Sequence, residues 1–388
     1  MTPSRPSVLV VQPLFAHYRY QTFVQLAANP IADFSFAAGD TFSDGVIQVF
    51  PSSLLPGSVE LVNRWWGNVL WQSGLVRLIL SKRYTAIVVT GSAAHLSTWI
   101  AAIVARLAGT KVLFWTTGWH RQDKGIKRIV RLTFYRLAHH LLLYNYRGLE
   151  LGARAGYPRN RMSVIYNSQG SPSQTMPPNK TVQSSLEGLD ESIPTVIAIV
   201  RLNTAKRLDQ LIEAASLLRW EGFPINVILA GEGPDRTRLR LFADSLGVRL
   251  ILPGAVYDRG DLGRLYGVSA VTVVPGPIGL TAIQSLQFGV PVISNSNADS
   301  QVAEWEAIKE GVTGCYFERD DVQDLARSIR GWITSSNGRT DEIEAACKRE
   351  YQERWTPVVH AERFLAGLDD AFARNTRTKG RWRATDAG

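Results

Sequence analysis

The sequence predicts an α/β protein made of two Rossmann-like, doubly wound domains. Three observations carry this expectation. Short apolar, β-branched runs alternate with helix-period segments in both halves of the 388 residues, which is the pattern of parallel sheets with right-handed crossovers. From Gly170 to Ser192 the periodicity lapses into Ser, Pro and Asn, as a linker would. The stretch Ala270 to Ser294, AVTVVPGPIGLTAIQSLQFGVPVIS, reads as a strand, a glycine turn, a helix and a second strand.

In chain order, the first strand is Val8–Val11. The run Ser7 to Gln12 is too short for a signal-peptide core. Further strands are expected at Phe34–Ala37, Ala86–Thr90, Lys111–Thr116, Leu141–Tyr144 and Ser163–Tyr166, with helices between them. Arg64-Trp65-Trp66, Trp71 and Arg77 read as the beginning of one helix. Arg121–Ala138 reads as an amphipathic helix, with Ile126, Ile129, Val130, Phe134 and Leu137 on one face and Lys124, Lys127, Arg128 and Arg131 on the other. His139-His140 follows it, placed to pair its charge with the helix C-terminus. The second half repeats the alternation, with strands beginning at Thr195, Ile225, Arg249, Ala270 and Pro291. The expected division is a first domain over 1–169, a linker over 170–192, a second domain over 193–350, a C-terminal helix within 351–374 (Tyr351 to Phe372), and a polar, basic, disordered tail over 375–388.

An apolar fraction of 45% with 20% charged residues is that of a globular protein. Cys315 and Cys347 lie far apart, and no C-x-x-C or His-rich metal spacing occurs, so reduced thiols and no metal are expected. The longest apolar candidate for a membrane span, Leu96 to Leu107, is short and contains Arg106. The expected location is the cytoplasm. Charge is uneven: residues 1–165 hold 18 Lys and Arg against 6 Asp and Glu, a net of +12, leaving −3 for the remainder of a chain that carries +9 in all. An anionic partner for the first half follows. Basic residues interleaved with aromatics favour an anionic membrane surface. No nucleic-acid recognition motif is present, so nucleic acid is not expected.

The chemistry concentrates in the second half. Gly279-Leu280-Thr281 opens a helix directly after a strand and a Pro-Gly-Pro turn. The first N–H groups of a helix lack internal acceptors and attract anions. Thr195 to Val200 is another buried strand, and Arg201 and Lys206 follow at its C-terminal mouth, where open α/β sheets bind ligands. A guanidinium fork, an ammonium and a helix N-terminus together describe a diphosphate clamp. Taken singly, each piece is an ordinary βαβ crossover or a solvated cation.

The ordered set resembles the family-4 glycosyltransferases of the GT-B fold. The segments concerned are Val200-Arg201-Leu202…Lys206, Ala230-Gly231-Glu232-Gly233-Pro234, Leu250-Ile251-Leu252-Pro253-Gly254 and Gly279-Leu280…Gly289-Val290-Pro291. The resemblance implies two domains facing a central cleft, with the first on the acceptor side. It implies a retaining, metal-independent and cofactor-free transfer of sugar from a nucleoside-diphosphate sugar to a glycan or lipid-linked acceptor. It assigns donor contacts to Arg201, Lys206, Gly231, Gly233, Leu252, Gly279, Leu280, Thr281 and Gln284. It places the loop His17-Tyr18-Arg19 at the cleft. It puts Thr117 where relatives carry a His or Asp beside the transferred sugar, with His120 the nearest titratable candidate for proton transfer. The family's two donor-motif glutamates are replaced by Gly276 and Gln284. That variant pattern resembles bacterial polysaccharide-assembly glycosyltransferases. Two alternatives stay open: a nucleotide-sugar 2-epimerase of the same fold, and a non-catalytic donor-binding partner in a polysaccharide assembly complex.

Overall fold

The computed structural model describes residues 5–40, 48–81, 84–170, 180–335 and 339–373. They fall into two compact units, one holding the described residues up to Gly170 and from Thr356 onward, the other those from Lys180 to Trp355. The tail 375–388 and residues 171–179 of the expected linker lie outside the described residues.

The first unit contains β1 (Ser7–Leu14), α1 (Tyr20–Ala27), β2 (Asp33–Gly39), β3 (Val59–Trp66), β4 (Val69–Ser73), α2 (Leu75–Ser81) and β5 (Ala86–Thr90). It continues through α3 (Leu96–Leu107), β6 (Lys111–Thr116), α4 (Gly125–Arg136), β7 (His140–Leu143), α5 (Tyr146–Arg154) and β8 (Met162–Val164). The sheet order is β4-β3-β2-β1-β5-β6-β7-β8. All neighbours are parallel except β3 and β4. Val8 to Val11 are at most 1% exposed, because a central strand covered on both faces needs apolar residues at successive positions rather than alternating ones.

The segment expected to start a helix at Arg64 is instead the β3–β4 hairpin, with Arg64 opposite Trp71. Gly67 sits at φ +58° and opens the two-residue turn Gly67-Asn68, the geometry that matches strand twist. Burial along β3 tends to alternate, so the period is two. Helix α4 begins at Gly125, four residues later than the amphipathic pattern suggested, after an extended Lys124.

The second unit contains α6 (Lys180–Glu187), β9 (Thr195–Ile199), α7 (Leu208–Trp220), β10 (Asn226–Ala230), α8 (Arg236–Leu246), β11 (Leu250–Gly254) and α9 (Arg259–Gly267). It continues through β12 (Val271–Val274), α10 (Thr281–Gln287), β13 (Val292–Asn295), β14 (Gly314–Phe317), α11 (Val322–Ser335) and α12 (Asp341–Arg354). The sheet is wholly parallel in the order β11-β10-β9-β12-β13-β14. Helix α6 lies inside the expected linker. Its Val182 is fully buried and shares a core with Ile197 and Ile228, and Thr181 Oγ1 donates to Pro253 O at 2.6 Å. Two apolar positions in a Ser-rich stretch were too few to show a period.

The expected helix Tyr351 to Phe372 is two helices. Helix α12 stops at Arg354, and α13 (Pro357–Ala373) starts at a proline, which suits the first helical position because the missing N–H is not needed there. Thr356 Oγ1 accepts from Val359 N–H at 3.2 Å. Helix α13 packs on β7, β8 and α1 of the first unit. A side chain at Gly367 would meet Leu142 Cδ2 at 2.4 Å, so this glycine sets the close approach.

In each sheet one strand marks where the chain reverses its direction of travel. It is β1, between β2 and β5, in the first unit, and β9, between β10 and β12, in the second. Crossovers leave such a pair on opposite faces, and a crevice opens beyond the strand C-termini.

Candidate functional site

In the second unit three loops meet beyond β9, β10 and β12. Glycines bring them together. Gly231 (φ +146°) and Gly233 (φ +159°) lie flat against the loop after β9; a Cβ would fall 1.9 Å from Val200 O at the first and 2.1 Å from Leu202 O at the second. Leu202 N–H then donates to Glu232 O at 3.0 Å. Gly276 is held equally close. Its N–H donates to Lys206 O at 2.9 Å, and a Cβ would fall 2.2 Å from Ala205 O and 2.7 Å from Lys206 Cα. No glutamate fits at Gly276 with this loop geometry, so its absence is a property of the packing.

Side chains staple the same loop from behind. Asn295 Nδ2 donates to Pro275 O at 2.6 Å, Lys206 Nζ donates to Pro277 O, and Gln301 Oε1 accepts from Ile278 N–H at 3.0 Å. The next N–H groups, those of Gly279 (φ +63°), Leu280 and Thr281, find no acceptor among the described residues. Thr281 Oγ1 donates to Ile199 O at 2.7 Å, fastening the first turn of α10 to the end of β9. Arg201, Lys206, Gly231, Gly233, Gly279, Leu280 and Thr281 therefore lie on the loops beyond the three adjacent strands β10, β9 and β12.

Burial pulls the Lys206 ammonium below its ordinary pKa, and the carboxylate of Glu304 opposes that shift. Glu304 is itself 6% exposed. Arg201 is exposed. Arg207, next to Lys206, turns away to Asp320 at 2.8 Å, so the two adjacent cations serve different partners. Gln284 is buried one turn into α10, where its Oε1 accepts from the buried Tyr266 hydroxyl at 3.2 Å. Leu252 is 8% exposed, and its carbonyl accepts from Arg236 at 2.8 Å. The residue thus already serves the protein's own packing. Gln301 and Glu304 were not found from the sequence, since Gln301-Val302-Ala303-Glu304 carries no motif.

The crevice of the first unit is built from side chains. His17, Tyr18 and Arg19 form one 3₁₀ turn after β1. Arg19 lies over the Trp115 ring, with its guanidinium carbon 4.9 Å from the ring centroid. It donates to Gln12 Oε1 at 2.6 Å and to the Tyr144 hydroxyl. Gln12 Oε1 also accepts from Thr90 Oγ1 at 3.2 Å. Gln12 interrupts the apolar run of β1, a signal that sequence reading passed over. Burial keeps the half-buried His17 imidazole below its usual pKa.

Thr117 follows β6 half-buried, and His120 is exposed beyond it. Desolvation first, then the Arg131, Arg121 and Arg147 guanidiniums, hold the His120 imidazole below its ordinary pKa. The shift favours the neutral ring, which can accept a proton. Arg131 pins the loop by pairing with Asp123 and donating to Gly118 O at 2.7 Å. The expected pairing of His139-His140 with a helix end does not hold. His140 is in β7, 1% exposed, with Nε2 2.7 Å from Ser163 Oγ. His139 Nδ1 accepts from Val112 N–H at 3.0 Å. Burial, then Arg106 and Lys111, push its pKa down to about 4. An uncharged ring cannot offset the helix dipole, and Arg106 meets the α4 terminus instead by donating to Leu137 O at 3.1 Å.

Among the described residues no group of three or more His, Cys, Asp or Glu side chains is placed to hold a metal ion, and no helix is long and apolar enough to cross a membrane. Cys315 is half-buried and Cys347 buried, and burial pushes both thiols up to about 12.

Residues 180–349 match the family model described as "Glycosyl transferases group 1". The GDP-mannose-dependent alpha-(1-6)-phosphatidylinositol dimannoside mannosyltransferase of Mycobacterium tuberculosis is 34% identical over 191 residues, covering 47% of this chain and 46% of that protein. The match thus spans about half the length of that relative. Among solved structures, HepE of Anabaena in complex with UDP superposes with a TM-score of 0.69 at 16% identity, covering 94% of this chain and 99% of that one. A glycosyltransferase of Rickettsia africae superposes with a TM-score of 0.70 at 14% identity, covering 95% and 99%. The second unit matches the group 1 glycosyl transferase model over nearly its whole described length, and the chain as a whole has the two-domain α/β GT-B fold.

Proposed function

We propose that the protein is a retaining glycosyltransferase. It moves a sugar from a nucleoside-diphosphate sugar to a glycan acceptor, which is lipid-linked, in the synthesis of a cell-surface polysaccharide or glycolipid. The observation that carries this reading is the convergence of Lys206, Arg201 and the Gly279–Thr281 N–H groups on the β9–β12 switch point, within the segment that matches the family model. Lys206 is already oriented by Pro277 O and has ammonium protons left for a phosphate. Arg201 and the free N–H groups would share the diphosphate and stabilise it as leaving group. Gln284, held by Tyr266, would offer its amide to the ribose. With the leaving charge met by cations and backbone dipoles, the chemistry needs no carboxylate pair or metal. Retention follows if the acceptor attacks the face from which the diphosphate leaves.

On the acceptor side, His120 would take the acceptor proton. The guanidiniums around it favour an anionic acceptor, such as a sugar carried on a lipid diphosphate. The basic helix α4 would hold the first unit against the cytoplasmic face of an anionic membrane. The mannosyltransferase relative is GDP-mannose-dependent by name, and HepE was crystallised with UDP; either base is therefore a candidate here. The test is nucleotide release across a panel of GDP- and UDP-sugars, with and without membrane extract, alongside titration of GDP and UDP. Binding of one nucleotide with acceptor-dependent release supports the proposal. Binding with an epimerised sugar and no release would favour the epimerase, and binding without any turnover the non-catalytic partner. No binding of either nucleotide would remove the donor site altogether.

A further inference from the structure

Helices α3 and α4 each present large aliphatic side chains outward. On α3 the side facing the sheet is made of small residues: Ala101, Ala102 and Ala105 are fully buried, and Ser97 is 1% exposed. The opposite pole is Leu96, Ile100, Ile103 and Leu107, at 47%, 43%, 45% and 84% exposure. Their spacing of four, three and four residues puts them in one stripe. A helix at a protein–water boundary ordinarily does the reverse, with large aliphatics inward.

Helix α4 adds a second stripe. Its inner face is Leu132, Phe134 and Tyr135, while Ile126, Ile129 and Val130 are 76%, 65% and 43% exposed. The two helices are neighbours: the Trp99 and Phe134 rings lie 4.8 Å apart, and Arg106 donates to Leu137 O. The stripes therefore belong to neighbouring helices, and exposed aliphatic stripes of this kind mark an interaction site. Around it the charge has one sign. Between Gly91 and His140 there are eight Lys and Arg and one acidic residue, Asp123, and that carboxylate pairs with Arg131.

We propose that the outward faces of α3 and α4 insert together into the interfacial layer of an anionic bilayer, with Ile100, Ile103, Ile126 and Ile129 as the inserting side chains. The idea rests on the reading that the first unit works at a lipid surface, and it changes the nature of that attachment. Attraction by α4 alone would be adsorption, screened by salt. Buried aliphatic side chains give a component that salt does not remove. A second copy of the chain fits the face less well. In a two-fold contact the same patch meets itself, so Lys124, Lys127 and Arg128 of one copy would approach those of the other.

The experiment uses the full chain with vesicles of phosphatidylcholine alone or mixed with phosphatidylglycerol, floated at low salt and at about 1 M salt, where charges are screened within ~3 Å. Two variants, Ile100→Ser/Ile103→Ser and Ile126→Ser/Ile129→Ser, change exposed positions only, and a melting curve checks that each is folded. The wild type should float with anionic vesicles and keep part of its binding at high salt. Each variant should lose roughly ten-fold of that salt-resistant binding. Failure to float with any vesicle overturns the proposal, as does binding that high salt removes completely and that neither variant alters. A concentration-dependent dimer dissolved by the same substitutions would assign the face to a second copy and overturn it too. GDP and UDP affinities are measured on the same proteins. Their loss in the wild type would defeat the donor reading and leave the flotation result standing.

Discussion

The two crevices differ in what they are made of. Beyond β9 and β12 the backbone builds the site: glycine turns press against carbonyls, and the neighbouring loop presents N–H groups. Beyond β1 and β5 side chains build it, with Arg19 stacked on Trp115 and tied to Gln12 and Tyr144, residues drawn from four separate segments. Histidines divide the same way. All six histidines, at positions 17, 95, 120, 139, 140 and 360, belong to the first unit. A backbone-built site tolerates few changes at fixed spacings. A site built from side chains can be assembled from scattered positions and is exposed to pH.

The largest expected effect uses that asymmetry. Burial holds the imidazole of His95 at about 4 and that of His360 at about 3, both below the unfolded value of about 6.5. The folded state thus binds fewer protons, so the stability is complete above about pH 6.5 and is lost as pH falls toward the folded values. The shift at His95 alone is worth on the order of 3 kcal/mol. Hydrogen exchange followed from pH 7 down to about 4 should show peptides of the first unit losing protection ahead of those of the second. Simultaneous loss in both units would break the comparison.

Next comes a substitution that restores the glutamate typical of the resembled family. Gly276→Glu must displace Ala205 O and Lys206, so it should lower stability by about 1–3 kcal/mol, as overpacking does, and weaken nucleotide binding. Improved GDP or UDP affinity in titration would show that the loop opens freely and that the packing argument is wrong.

The cations come third. Lys206→Ala and Arg201→Ala should each weaken nucleoside-diphosphate binding by about 1.5–3 kcal/mol, the range for hydrogen bonds to charged groups. Lys206→Ala should also lower the melting temperature, since Pro277 O loses its donor. Unchanged affinity in both variants would move the clamp elsewhere.

The same contrast explains what the sequence could tell. Strands β5 and β6 were legible to the residue, because buried parallel strands are near-continuous apolar runs. The loops that meet beyond β9, β10 and β12 were legible because glycines and prolines at fixed spacing are required by their backbone geometry. Gln12 and Tyr144 were not, since only the fold brings them to Arg19. Nor was the hairpin β3–β4, whose tryptophans and arginine mimic an amphipathic helix unless the Gly67-Asn68 turn is given weight. The exposed stripe of α3 was not legible either, since Leu96 to Leu107 shows in the sequence only as an apolar run, and apolar periodicity does not say which way a helix face points.

The smallest effect separates Gln284's two roles. Its Oε1 is the acceptor for a Tyr266 hydroxyl in a fully buried ring. Gln284→Ala leaves that hydroxyl without its partner and should cost about 1–2 kcal/mol of stability. The alanine also removes the group proposed to meet the ribose, so donor affinity should fall. Gln284→Glu keeps an acceptor for Tyr266 and one for a ribose hydroxyl, so both losses should be smaller. The two variants therefore rank in the same order by melting temperature and by nucleotide titration if one side chain performs both tasks. If Gln284→Ala melts early yet binds GDP and UDP as the wild type does, the residue only supports Tyr266. The ribose contact would then have to come from another group at the crevice, with Glu304, buried beside Lys206, the first to substitute.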